Sequence, residues 1–251
     1  METVKRAIIV AAGEGKRLRP VTLQTPKPLV RVNGTRLIDT SINALKENGI
    51  HEIYIVTGYK KEMFHAAFAD DPDITVIDNP YYDQGNNITS LYMVRDYLPG
   101  AFVMDGDLII RNREILNPVF ERSGYAGTWE SETDEWAMKM ENGRVVSCDP
   151  DGGVNAYRLW SISMWSEEDG RKLAELIRYY FEKKDWSIYW DNVPMLLHLK
   201  DFDLGIRQIR NDDIMEIDTL EELAQIDPEY SGYAVEQLQQ KTTFRKDEKT
   251  F

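Results

Sequence analysis

Over the first hundred residues, short apolar runs alternate with segments whose apolar positions recur every three or four residues. Residues 7–11 read as a buried strand, and Leu37, Ile38, Ile42 and Leu45 share one face of a helix that Gly49 stops. The alternation continues with a strand at 52–57, a helix at 60–69 and a strand at 74–77. A helix at 90–98, carried by Leu91, Val94 and Leu98, then leads to a fourth strand at 101–104. Such alternation predicts an α/β fold with a parallel sheet and helices on both faces.

Beyond residue 120 the period shortens. Strands are expected at 125–130, 136–141, 144–148 and 154–162, with Asn142-Gly143 as a hairpin turn. Leu173, Leu176, Ile177, Tyr180 and Phe181 mark an amphipathic helix, and a last helix is expected at 220–226. The organisation expected is a single domain over 1–228, followed by a polar tail or linker over 229–251.

Composition narrows the function classes. Hydrophobic residues make up 42% of the 251 and charged residues 29%, as in ordinary soluble domains. A net charge of −13 argues against a nucleic-acid duplex or an anionic membrane as partner. The single cysteine, Cys148, allows no internal disulfide, and His51, His65 and His198 are scattered rather than clustered for a metal. No apolar run approaches the ~20 residues of a membrane span, so a cytoplasmic location is expected.

Against this acidic background one stretch differs. "VAAGEGKRLRPVTLQTPKP", Val10 to Pro28, follows the first strand directly. It is not a dinucleotide fingerprint, because Leu18 stands where the third glycine belongs. It is not a P-loop either, because Arg17 follows Gly15-Lys16. What remains is a Gly-x-Gly turn whose backbone N–H groups can face an anion. Between Gly15 and Ile38 lie Lys16, Arg17, Arg19, Lys27, Arg31 and Arg36 and no acidic residue, where composition alone would place about four. A cationic loop of this kind suits a triphosphate.

Ligands of open parallel sheets gather at the carboxyl ends of strands. Asp105-Gly106-Asp107 follows the fourth strand and therefore projects from the same edge as the glycine loop. Carboxylates beside a triphosphate repel it unless a hard cation lies between, and Mg²⁺ binds through one or two carboxylates plus phosphates. Glu216 and Asp218, in "IMEIDT", are a second acidic pair, although Asp218-Thr219 could equally cap the helix that follows.

Together these segments resemble the nucleotidyltransferases that activate phosphorylated small molecules. "AIIVAAGEGKRLRPVTLQTPKPLVRVNG", the Asp105/Asp107 pair and "EIDT" carry the likeness, which spans roughly residues 5–226. Within that family, "QGNNITSLYMVRDYL", "ETDEW" and "IYWDN" are similar to the bacterial CTP:phosphocholine cytidylyltransferases. The resemblance implies a Rossmann-like fold, with a mixed, mostly parallel central sheet and a smaller substrate-binding subregion. It also implies that Ala11, Ala12 and Gly13 receive the nucleotide, that Arg17 meets its phosphates and that Lys27 neutralises the reacting phosphates. Asp107 with Asp218 or Glu216 would hold Mg²⁺. Asn87 and Ser90 are the expected cytosine readers, because a pyrimidine edge needs amide or hydroxyl partners, although a loop amide and a helix cap would look the same. Lys16 and Arg31 are expected to stay solvated.

The reaction implied is CTP + phosphocholine → CDP-choline + pyrophosphate. A quaternary ammonium donates no hydrogen bond, so its site needs aromatic faces and negative charge. Trp136 behind Asp134-Glu135, and Tyr189-Trp190-Asp191, bring those residue types together, although Trp and Tyr on strands and helices are more often core than cage. The rivals are the same chemistry on 2-aminoethylphosphonate or phosphoethanolamine, a sugar-1-phosphate nucleotidyltransferase, and a nucleotide-binding module without catalysis.

Overall fold

The computed structural model describes residues 1–233. Most of the expected tail thus lies outside the described residues, although Tyr230 packs against the domain and its hydroxyl donates to the Arg31 carbonyl at 2.7 Å.

The four early strands are Arg6–Ala11, Ile53–Thr57, Ile74–Asp78 and Ala101–Asp105. They are parallel to their neighbours, in the spatial order fourth, first, second, third. The chain therefore reverses its direction of travel across the sheet between the first and fourth strands. This is the switch point, where two diverging loops leave a crevice at the strands' carboxyl ends.

The later strands extend the sheet to nine among the described residues. Gly153–Met164 pairs antiparallel with Ala101–Asp105 on one side and with Gly124–Thr133 and Ala137–Glu141 beyond it. Gly205–Gln208 adds a parallel edge to Gly124–Thr133. The turn from Ala137–Glu141 to Arg144–Asp149 uses Asn142 and Gly143 at φ 51° and 77°, the left-handed pair that a tight hairpin demands.

Alternation along the first strand feeds two cores. Ala7, Ile9 and Ala11 face the helices Leu37–Glu47 and Lys61–Phe68, whereas Ile8 and Val10 face Ile88–Met93 and Glu167–Glu182. The helix expected over 90–98 is shorter than its apolar spacing suggests. It spans Ile88–Met93, and a tight turn at Arg95–Tyr97 then seats Val94 and Leu98 in the same core.

Candidate active site

The switch point carries a cleft of about 280 Å³. It is lined by the end of the first strand and the loop after it, Ala11, Ala12 and Gly13. Gly15 shapes the loop. Its φ of 61° is left-handed, and a Cβ there would sit 2.9 Å from the Lys27 Cβ, so glycine lets the two segments touch. The Thr22 hydroxyl ties the far side by donating to the Gly15 carbonyl at 2.9 Å.

That contact delivers Lys27 to the carboxylates. Flanked by Pro26 and Pro28 in a single tight turn, its side chain is only 8% exposed. Its Nζ lies 2.7 Å from Asp107 Oδ2 and 3.0 Å from Asp218 Oδ1. Burial works against the charge on Lys27, but Asp107, Asp218 and Glu216 more than offset it and hold its pKa above the ordinary lysine value. Arg17 donates to the same Asp218 oxygen at 2.7 Å from the solvent side.

The later acids arrive by two devices. Ile214–Glu216 pairs antiparallel with Leu108–Ile110, in a register that sets Glu216 opposite Leu108 and so beside Asp107. Two residues on, Thr219 caps the helix Leu220–Ile226, and Glu222 accepts the N–H groups of both Asp218 and Thr219. Thr219 therefore supplies the cap, which leaves the Asp218 carboxylate free to meet Lys27 and Arg17. Asp107, Glu216 and Asp218 each offer an oxygen within 4.8 Å of the others. Burial first, then Asp107 and Asp218, push the Glu216 carboxyl up to about 7.

A divalent cation fits this trio. Asp107 Oδ1 is buried and has no hydrogen-bond partner, while Oδ2 is taken by Lys27. An orphaned carboxylate oxygen between two further acids is the oxygen donor set that Mg²⁺ takes. Asp105, two residues earlier, stands apart from the trio. It is half-buried at the cleft, and desolvation together with Asp107, Asp191 and Glu216 raises its pKa well above the carboxylate range.

The remaining expected residues divide. Asn87 and Ser90 line the cleft together with Tyr82, Gly85, Asn86 and Thr89. Ser90 is buried, and its hydroxyl oxygen accepts from Asn79 Nδ2 at 3.0 Å. Lys16, expected to be simply solvated, is 69% exposed yet forms part of the cleft wall. Arg31 lies elsewhere, beside Arg36 and Tyr230.

None of Trp136, Tyr189, Trp190 and Asp191 lines the cleft itself. Trp136 is half-buried against the core beneath the cleft, and Tyr189 is 51% exposed. Trp190 is only 3% exposed, in a ring cluster with Tyr125 and Trp165, so its face is spent on core packing. Asp191 is different. It is half-buried beside Tyr125, and burial pushes its carboxyl up to about 7 although the neighbouring Tyr125 hydroxyl eases the shift; its Oδ1 is buried and makes no well-formed hydrogen bond.

Comparison with known proteins agrees with this geometry. The nucleotidyl transferase family matches residues 6–122. The chain is 36% identical over 229 residues to 2-aminoethylphosphonate cytidylyltransferase from Lancefieldella rimae, covering 89% of this chain and 92% of that one. It is 32% identical to choline-phosphate cytidylyltransferase from Streptococcus pneumoniae, covering 88% and 96%. A solved CTP:phosphocholine cytidylyltransferase from Streptococcus pneumoniae superposes with a TM-score of 0.82 at 31% identity, over 90% of this chain and 98% of that one. Among the described residues, no helix is long and apolar enough to cross a membrane.

Proposed function

The chain belongs to the nucleotidyltransferase family, and on that footing we propose that it transfers CMP from CTP to phosphocholine, releasing CDP-choline and pyrophosphate. The observation that carries the transfer is the buried Lys27, bridging Asp107 and Asp218 at the edge of the cleft. Its cation and the neighbouring Arg17 face the place where a triphosphate would build negative charge.

A phosphate oxygen of phosphocholine attacks the α-phosphorus of CTP in line. The new O–P bond forms as the bond to the β-phosphate oxygen breaks, and pyrophosphate leaves with that electron pair. A phosphate monoester has its second pKa near ~6, so the nucleophile is already ionised at neutral pH and the chain needs no general base. The loop at Ala11–Gly13 offers backbone to the nucleotide, and Lys27 and Arg17 neutralise and orient the phosphates. Asp107, Glu216 and Asp218 would hold Mg²⁺, which when bound supplies further charge neutralisation at the phosphoryl oxygens. On this reading residues 1–228 form the whole catalytic domain.

Asp191 supports a cationic acceptor. A buried carboxylate oxygen that makes no well-formed hydrogen bond, set beside Tyr125 and Trp190, can be compensated by a cation that brings no hydrogen-bond donor. The 36% identity to a 2-aminoethylphosphonate enzyme favours a second reading, in which a primary ammonium fills the same place. That group would donate three N–H bonds, to Asp191 and the carbonyls around it.

The pH dependence of Asp191 tests the cationic site. A cation stabilises the carboxylate, so binding strengthens as pH rises through about 7, and a proton is released on binding. Choline itself, which lacks the titrating phosphate, should inhibit about tenfold more tightly at pH 8 than at pH 6, as the ionised fraction of Asp191 rises. Asp191→Asn should inhibit weakly and evenly across that range. A choline inhibition constant that is flat in the native protein would remove Asp191 from the head-group site.

A further inference from the structure

Asn87 stands immediately before the helix Ile88–Met93, but its side chain does not cap that helix. Its Oδ1 instead accepts the backbone N–H of Trp190 at 2.9 Å, 103 residues along the chain. A backbone N–H can only donate, which fixes the orientation of the amide. The Nδ2 group makes no hydrogen bond among the described residues, and the residue lines the cleft. One side chain therefore has a donor available to a pyrimidine carbonyl and an acceptor spent on the segment that carries Asp191.

The surroundings make that link mechanically tight. Asn86 N–H donates to the Trp186 carbonyl at 2.6 Å. A Cβ on Gly85 would sit 2.5 Å from the Trp186 Cβ and 2.7 Å from its carbonyl oxygen. The Trp186 ring in turn stacks on Phe181 and meets Tyr81. Residues 81–87 and 186–190 are thus packed and hydrogen-bonded to one another. At its far end Trp190 packs on Tyr125, whose hydroxyl lies beside Asp191.

We propose that Asn87 is a positioning residue that couples the two substrates: its Nδ2 reads the cytosine while its Oδ1 holds the Trp190 backbone, so that bound CTP sets the acceptor segment. The inference rests on the CTP reading above. A contiguous set of packed and hydrogen-bonded groups is the physical means by which one site biases another, and coupling is reciprocal. Phosphocholine should therefore tighten CTP binding by the same factor.

Two substitutions separate the roles of the amide. Asn87→Ala removes both, and KM should rise for CTP and for phosphocholine alike, by about fivefold or more for the acceptor. Asn87→Asp keeps an oxygen for the Trp190 N–H but loses the donor and adds charge. KM for CTP should then rise about tenfold or more, while KM for phosphocholine, still served by the held Trp190 backbone but no longer by the cytosine contact, should rise less than in Asn87→Ala.

Hydrogen–deuterium exchange supplies a readout that needs no acceptor. CTP with Mg²⁺ should slow exchange of the peptide 186–191 in the native chain and leave it unchanged in Asn87→Ala. Equal losses in both variants, or an exchange response preserved in Asn87→Ala, would overturn the coupling. If the native chain does not turn phosphocholine over, the acceptor assignment fails, and the exchange measurement still decides the coupling.

Discussion

Asp107→Asn is expected to lower turnover by on the order of a thousandfold or more while leaving the chain folded. Asparagine keeps the size of the side chain and loses the charge. In the native chain Asp107 gives one oxygen to Lys27 and leaves the other buried without a partner. That second oxygen is the group a divalent ion would take, and an amide replaces it poorly. Stability should fall less than activity, because Lys27 loses one of its two carboxylate partners while Glu216, whose carboxyl burial and then Asp107 and Asp218 raise to about 7, loses a repelling neighbour. Steady-state rates at saturating Mg²⁺ and a thermal melt check both halves. Near-native turnover would take Asp107 out of the site.

Lys27→Ala should be damaging in a different way. Its ammonium is the buried counter-charge of Asp107 and Asp218, and losing one partner of a buried ion cluster costs about 3–5 kcal/mol. Turnover should fall at least as far as in Asp107→Asn, since the cation facing the reacting phosphates is gone. Mg²⁺ should then raise the melting temperature of the variant more than that of the native chain, because a cation held by the three acids replaces the missing charge. An alanine variant that melts like the native chain and responds no more strongly to Mg²⁺ would show that Lys27 does not neutralise this cluster.

How much of this was legible in the sequence follows from how local each feature is. The glycine loop, the Thr-Pro-Lys-Pro turn and Asp107 are set by neighbours within a few residues, and all of them line the cleft where the strand order reverses. Glu216 and Asp218 could be named but not ranked. Their arrival depends on the register of Ile214–Glu216 against Leu108–Ile110, across more than a hundred residues. The structure puts both in the trio and gives the cap to Thr219.

The aromatics were harder to read. A tryptophan beside carboxylates looks the same in sequence whether its face is open or packed. Trp190 turns out to be packed, with its segment contributing the orphaned oxygen of Asp191 instead. Tyr82 and Thr89 carried no signal, because their place on the cleft comes from how the loop after the third strand leads into the helix Ile88–Met93. Lys16 looked like any surface lysine, since its exposure hides its position on the cleft wall.

The central claim, transfer of CMP to phosphocholine, is tested most directly in one reaction vessel. Limiting CTP and Mg²⁺ are offered equal amounts of phosphocholine, 2-aminoethylphosphonate, phosphoethanolamine and glucose-1-phosphate, and the cytidylylated products are separated by mass. CDP-choline should predominate, with pyrophosphate released in equal amount. Predominance of the aminoethylphosphonate product would overturn the choline assignment and leave the cytidylyl transfer standing, whereas no cytidylylated product from any acceptor would contradict the account as a whole.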